Sequence, residues 1–116
     1  MSFAAQYQSL VKDVLADLVR SDLAKGTQAE AQARHYTLRG KPDFVLAYLL
    51  HADLPDEEKR ELLAEAYEHR ATRTRERARE FSQKFHRDFP ELLAEAVHDQ
   101  TKAELIRAWK SLHVAR

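Results

Sequence analysis

The stretch from residue 55 to residue 89 reads PDEEKRELLAEAYEHRATRTRERAREFSQKFHRDF, and it decides the fold class of the chain. From Asp56 onward it contains neither glycine nor proline, the two residues that most disfavour the interior of an α-helix. A helix over about residues 55–89 would be roughly 50 Å long, about three times the usual helix length. We therefore predict an all-α protein that is organised around one long helix.

The rest of the chain also predicts helices and no strands. Two glycines and three prolines interrupt 116 residues. Apolar residues recur at spacings of three and four over residues 3–25, and a nearly continuous apolar run covers residues 44–52. Residues 28–38 and 91–116 are the two remaining predicted helices. We predict one domain over residues 1–116, a bundle of four to five helices whose long helix either projects or is shared in a dimer.

The helix boundaries are predicted from glycines and capping residues. Gly26 and Gly40 are expected to end the first and second helices. Thr27 stands three residues before Glu30, which is the spacing of a capping box. Asp43 is expected to cap the third helix. We expect the core to form between the first helix, the third helix and both ends of the long helix.

Composition excludes several classes of site. The chain has no cysteine, which excludes disulfides, thiolate zinc sites and cysteine nucleophiles. Its net charge is zero, so attraction to nucleic acid or anionic lipid would require a local patch. Lys12, Asp13 and Asp17 interrupt the N-terminal segment, which resembles neither a signal peptide nor a membrane span. We expect a cytoplasmic protein with no membrane partner, no cofactor and no catalytic residues, and enzymatic activity is left open through the metal-dependent alternative below.

The long helix is electrically divided. Residues 53–68 carry seven acidic side chains against two basic ones, and residues 69–87 carry seven basic side chains against two acidic ones. An antiparallel partner helix would place opposite charges side by side. Arg70, Arg77 and Lys84 flank one side of the helix, however, and a symmetric pairing centred there would bring like charges together. The charge blocks are equally consistent with a solvated face that complements the helix dipole.

Heptad spacing places small and aromatic residues along one seam of the long helix. This pattern predicts a small helical protein-interaction or assembly module that self-associates, with itself or another helical protein as its partner. The predicted interaction seam consists of Tyr67, Ala71, Ala78, Phe81 and Phe85.

An alternative interpretation assigns the basic half of the helix to nucleic acid. Arg70, Arg73, Arg77 and Lys84 share one helical stripe, and each can neutralise a phosphate. The sequence lacks the helix-turn-helix spacing, zinc ligands or glycine-rich loop that commonly accompany such a stripe. Nucleic-acid binding therefore stays an alternative.

A second alternative is a metal-dependent helical-bundle enzyme. Glu95 and His98 have the Glu-x-x-His spacing, and Glu65 and Glu68 occupy the same places in a related hexapeptide, because ELLAEA occurs at both 61–66 and 91–96. Bundles that hold two metal ions use two Glu-x-x-His motifs and two further glutamates. With only one such motif, these four residues are weak candidates, and we expect no metal.

Overall fold

The computed structural model describes the backbone of residues 3–108 and the side chains of residues 13–108. Over this range the chain forms five α-helices and no strand, which confirms the predicted all-α bundle with one long helix. The predicted continuation of the last helix to residue 116 lies partly outside the described residues. The helices are α1 (Phe3–Ala24), α2 (Ala29–Leu38), α3 (Pro42–Leu49), α4 (Asp56–Phe85) and α5 (Pro90–Ala108).

Two antiparallel helix pairs build the molecule. The long helix α4 pairs with α5, the α2–α3 pair packs on the first half of α4, and α1 lies against α3. The molecule measures 47 × 33 × 28 Å, and its long dimension matches the roughly 45 Å length of a helix of 30 residues. Within the described range, no helix combines the length and the apolar character needed to cross a membrane.

The core lies at the end of the bundle where α3 meets the first half of α4. Val45, Tyr48 and Leu49 of α3 are almost completely buried, which places this short apolar helix at the centre of the core. They pack with residues of the other helices, including Val19, Ala33, Leu62, Leu63, Ala64, Ala66, Ala103 and Ile106. Burial of each large apolar side chain contributes about 1.5–3 kcal/mol.

The expectation that both ends of the long helix join the core is wrong at its C-terminal end. Phe81 is 36% exposed and Phe85 is 54% exposed. The contacts that tie α2 and the α2–α3 turn to α4 are made by Arg70 and Arg73 and by residues before them. The second half of α4 therefore packs on α5 without a further layer over it.

Three predicted boundaries also differ from the structure. Gln28, rather than Thr27, precedes α2, and it makes no side-chain capping hydrogen bond. Asp43 lies inside the first turn of α3, because Pro42 with its fixed φ already occupies the first helical position. The long helix ends at Phe85, because His86 adopts a left-handed conformation with φ of 55°. Helix α5 continues without a break to Ala108.

Gly40 brings the α2–α3 turn into direct contact with α4. Its φ is +65°, and a Cβ atom at this position would lie 2.8 Å from the backbone nitrogen of Arg70. Any side chain here would therefore separate the turn from α4. The close approach positions the residues on either side of Gly40 beside the middle of the long helix.

Candidate functional site

Arg70, the first residue of the predicted phosphate-binding stripe, is paired inside the molecule. Its Nε donates to Oδ2 of Asp99 at 2.8 Å and its Nη2 donates to Oδ1 at 2.9 Å. The Asp99 side chain is 8% exposed, and such paired hydrogen bonds are among the stronger ones in proteins. Asp99 also raises the pKa of Arg70. Arg70 therefore holds α4 against α5, and its charge is balanced within the chain.

Arg73, the second residue of the stripe, binds the end of α2. Its guanidinium donates to the backbone carbonyl of Leu38 at 3.1 Å and also to that of Arg39. Carbonyls in the last turn of a helix lack partners within the helix, and a cation there complements the helix dipole. Arg73 therefore contributes to helix capping as well as to surface charge.

Arg77 and Lys84, the last two residues of the stripe, are exposed. Among the ion pairs of residues 13–108, none involves Arg77 or Lys84. Lys84 lies apart from the other three, with its Nζ 5.5 Å from the ring centroid of Phe85. The structure thus brings Arg70, Arg73 and Arg77 together and leaves Lys84 outside the group.

These three arginines line a cleft of about 700 Å³ between the α2–α3 turn, α4 and α5, which we call the basic cleft. Lysine and arginine outnumber carboxylates in its walls by six to three, and His98 adds a titratable group. Such an excess of positive charge attracts anions. The charged wall residues are Arg39, Lys41, Arg70, Arg73, Arg77 and Lys102, with Glu91, Glu95 and Asp99.

Sequence reasoning missed half of the bases in this cleft. Arg39 and Lys41 come from the α2–α3 turn and Lys102 comes from α5, whereas the prediction considered a single face of α4. The glycine between Arg39 and Lys41 was the one local signal, because it marks a turn that can approach another backbone closely. Its contact with α4 appears only in the folded chain.

The predicted interaction seam is divided by the fold. Ala71 and Ala78 are buried within the single chain, so they offer no surface to another molecule. Tyr67 is half-buried, and burial raises its pKa; the cationic groups of Arg70 and Lys102 lie 5.2 and 5.3 Å from its ring centroid. Only Phe81 and Phe85 of the seam remain exposed.

Phe89 joins these two exposed phenylalanines in one cluster. The ring centroids of Phe81, Phe85 and Phe89 are 5.6 to 6.1 Å apart in edge-to-face arrangements, a favourable geometry for aromatic rings. Leu93, which is 47% exposed, lines a groove of about 460 Å³ together with Phe89, Arg75 and Arg79. We call Phe81, Phe85, Phe89 and Leu93 the aromatic end of the α4–α5 pair.

The four weak metal candidates do not form one cluster. Among the described residues, no group of three histidine, aspartate or glutamate side chains is close enough to hold a metal ion. Glu95 and His98 line the basic cleft. Glu68 instead accepts a hydrogen bond from Arg107. Glu65 neither lines the basic cleft nor pairs with Arg107.

Arg107 ties α5 to the first half of α4. Its Nη2 lies 2.8 Å from a Glu61 carboxylate oxygen and 2.5 Å from one of Glu68. The hydrogen bonds from Arg107 lower the pKa of both glutamates, and those glutamates raise the pKa of Arg107. Together with the Arg70–Asp99 pair, this contact fixes the register of α5 along α4.

Comparison of the chain with protein-family models, with curated proteins and with solved structures finds no match. Two of the surfaces formed by the described residues have been introduced above. One is the basic cleft beside the α2–α3 turn, and the other is the aromatic end of the α4–α5 pair.

Proposed function

We propose that the chain is a protein-interaction module that self-associates, and that two copies meet through the aromatic end. The observation that supports this proposal is the exposure of neighbouring large apolar side chains, Phe81, Phe85 and Leu93, at the projecting end of the helix pair. Contiguous exposed apolar groups commonly mark interaction sites. Aromatic side chains are also well suited to the centre of an interface.

The charge around the aromatic end favours a second copy as the partner. On the last part of α4, Arg75, Arg77, Arg79 and Lys84 outnumber Glu76 and Glu80, whereas the first part of α5 carries Glu95 and Glu91, which pairs with Arg87. A two-fold axis that sets α4 of one copy beside α5 of the other would bring opposite charges together. The product would be a short four-helix arrangement around the phenylalanines.

This proposal changes the pairing surface that the sequence predicts. The heptad seam suggested contact along the whole long helix, with Ala71 and Ala78 near the centre. Because these alanines are already buried in the single chain, an intermolecular contact along that seam would require displacement of the chain's own helices. The interface we propose uses only the phenylalanine end of the seam and adds Phe89 and Leu93.

The test is the mass of the protein in solution, measured by light scattering over a range of concentrations. We expect the wild type to form a dimer and Phe85→Glu to be monomeric, since a carboxylate buried in the interface would lose its hydration. Leu105→Glu is the matched control, because Leu105 is 55% exposed near the other end of α5. A wild type that stays monomeric at the highest concentration would disprove self-association.

Salt provides a further test of the charge arrangement. If α4 of one copy lies beside α5 of the other, added salt screens attractive pairs and weakens the dimer. If like charges meet instead, added salt strengthens it. A dimer that tightens as salt rises would leave the aromatic interface in place but contradict the proposed orientation.

The nucleic-acid alternative has less support than self-association. Arg70 and Arg73 of the predicted stripe already bond to Asp99 and to backbone carbonyls. That leaves Arg77 and Lys84, which do not line the same cleft. Binding of an oligonucleotide at low salt that Arg77→Glu abolishes would favour this alternative.

A further inference from the structure

We infer that the basic cleft and an apolar groove beside it form one binding site for an amphiphilic anion, a phosphate or carboxylate that carries a medium-length hydrocarbon chain. The apolar groove has a volume of about 440 Å³ and lies between α1 and the α2–α3 turn. It shares Gly40, Lys41 and Arg70 with the basic cleft. The two cavities therefore adjoin at these three residues, and a ligand that spans both would pass on the solvent side of the contact between Gly40 and Arg70.

The apolar groove offers surface for a hydrocarbon chain. Val14 and Leu18 of α1 are 52% and 51% exposed, and they line the groove with Leu15, Pro42 and Phe44. Covering such side chains with a hydrocarbon chain is favourable because it removes apolar surface from water. The volumes of both cavities fall within the usual range of small-molecule sites, about 300–1,000 Å³.

The charged groups at the junction favour an anionic headgroup. Arg70 is balanced by Asp99 at close range, and Asp43 also lines the groove. Lys41 and Lys102 supply the remaining charge, because neither forms an ion pair with another described residue. Arg39 lines the same cleft as Lys41 and Lys102, and the carboxylates of Glu91 and Glu95 line it further along α5.

A compact headgroup fits this arrangement better than a polymer backbone does. A nucleic acid would require a row of available bases along α4, whereas Arg70 and Arg73 are engaged by the chain itself. The available bases Lys41 and Lys102 come instead from different elements that meet around one cleft. The proposed headgroup position at Lys41 and Lys102 does not involve the phenylalanines of the aromatic end, although the same cleft contains Glu91 and Glu95, which the proposed dimer also uses.

The probe for this site is decyl phosphate, used below its micelle-forming concentration with the full chain. Binding is followed in two-dimensional NMR spectra through the backbone amide of Gly40 and the methyl groups of Val14 and Leu18. We expect saturable shifts of these signals with decyl phosphate. Inorganic phosphate should give much weaker shifts at Gly40, and decyltrimethylammonium, which carries a similar chain with the opposite charge, should not saturate the site.

Two variants test the two halves of the site separately. Leu18→Glu and Lys41→Glu should each weaken decyl phosphate binding by about tenfold or more, the first through the chain and the second through the headgroup. Leu105→Glu and Lys25→Glu are matched controls at exposed positions elsewhere, and both should bind as the wild type does. Circular dichroism checks that each variant is folded.

Other outcomes would overturn the inference. Equal binding of decyl phosphate and decyltrimethylammonium would show nonspecific apolar adsorption. Unchanged affinity in both Leu18→Glu and Lys41→Glu would place any binding elsewhere. If a single-stranded oligonucleotide binds with the same dependence on Lys41 and no dependence on Leu18, the cleft recognises a phosphate polymer rather than an amphiphile.

Discussion

At the α2–α3 turn, the backbone of Gly40 approaches α4 too closely for any side chain. Gly40→Ala would introduce the cost of a left-handed residue, about 1–2 kcal/mol, together with a clash against the backbone of Arg70. We expect a total loss of about 2–4 kcal/mol in the free energy of unfolding, measured by urea denaturation. The clash involves backbone atoms, so rotation of a side chain cannot relieve it.

Gly26 provides the control for this prediction. Its φ is +83°, but a Cβ atom there would have no neighbour within 4 Å. Gly26→Ala should therefore lower the free energy of unfolding only by the cost of a left-handed residue, about 1–2 kcal/mol. Equal losses in the two variants would mean that the turn moves away from α4 at little cost.

The two glycines show what single residues reveal in a sequence and what they do not. Both were predicted to end helices, and both do so with positive φ. Nothing near Gly40 in the chain distinguishes it from Gly26, however, because the backbone it touches lies 30 residues away at Arg70. The same limit concealed Lys41 and Lys102, which become neighbours of the predicted arginines only when the turn and α5 pack on α4.

Between the elements, the contact of Arg107 with Glu61 and Glu68 predicts a pH-dependent contribution to stability. The pKa of both glutamates is lowered in the folded chain. Their contribution is therefore fully present above the unfolded pKa of about 4.3 and is lost as the pH falls through the lower folded values. Because the three side chains are 34–49% exposed, solvent screening limits the contribution to about 1 kcal/mol.

The variant that tests this contact is Glu61→Gln with Glu68→Gln. We expect it to be less stable than the wild type at about pH 7 and low salt, with the difference closing below about pH 4 and in about 1 M salt. Glu76→Gln with Glu80→Gln, exposed on the same helix, is the control. A stability difference that persists unchanged at low pH would indicate a packing effect of the substitutions rather than the ion pairs.

The long helix was predictable from composition, since its sequence contains no residue that would stop it. The helix against which its small residues pack was not predictable from the sequence. Ala71 and Ala78 permit close approach by any helix, and the heptad pattern is the same for a helix of the same chain and for one of a second copy. The structure covers both alanines within one chain, which moves the proposed interface to the end of the helix.

Across the whole molecule, apolar burial is concentrated at one end. The large buried side chains of α3 and the first half of α4 lie there, whereas buried residues of the second half of α4 are the alanines at 71 and 78. Regions with few buried apolar contacts open more readily than the rest of a protein. In the isolated chain, the aromatic end should therefore be the less stable part of the α4–α5 pair.

Hydrogen exchange can test this gradient and the proposed dimer together. At low concentration, backbone amides in residues 78–95 should exchange faster than those in residues 60–70. At concentrations where the dimer forms, exchange in residues 78–95 should slow, because a partner that binds only the folded state stabilises the region it covers. Phe85→Glu should keep the fast exchange at every concentration, whereas Leu105→Glu should behave like the wild type. Protection that rises with concentration in residues 60–70 but not in 78–95 would place the interface on the other end of the molecule.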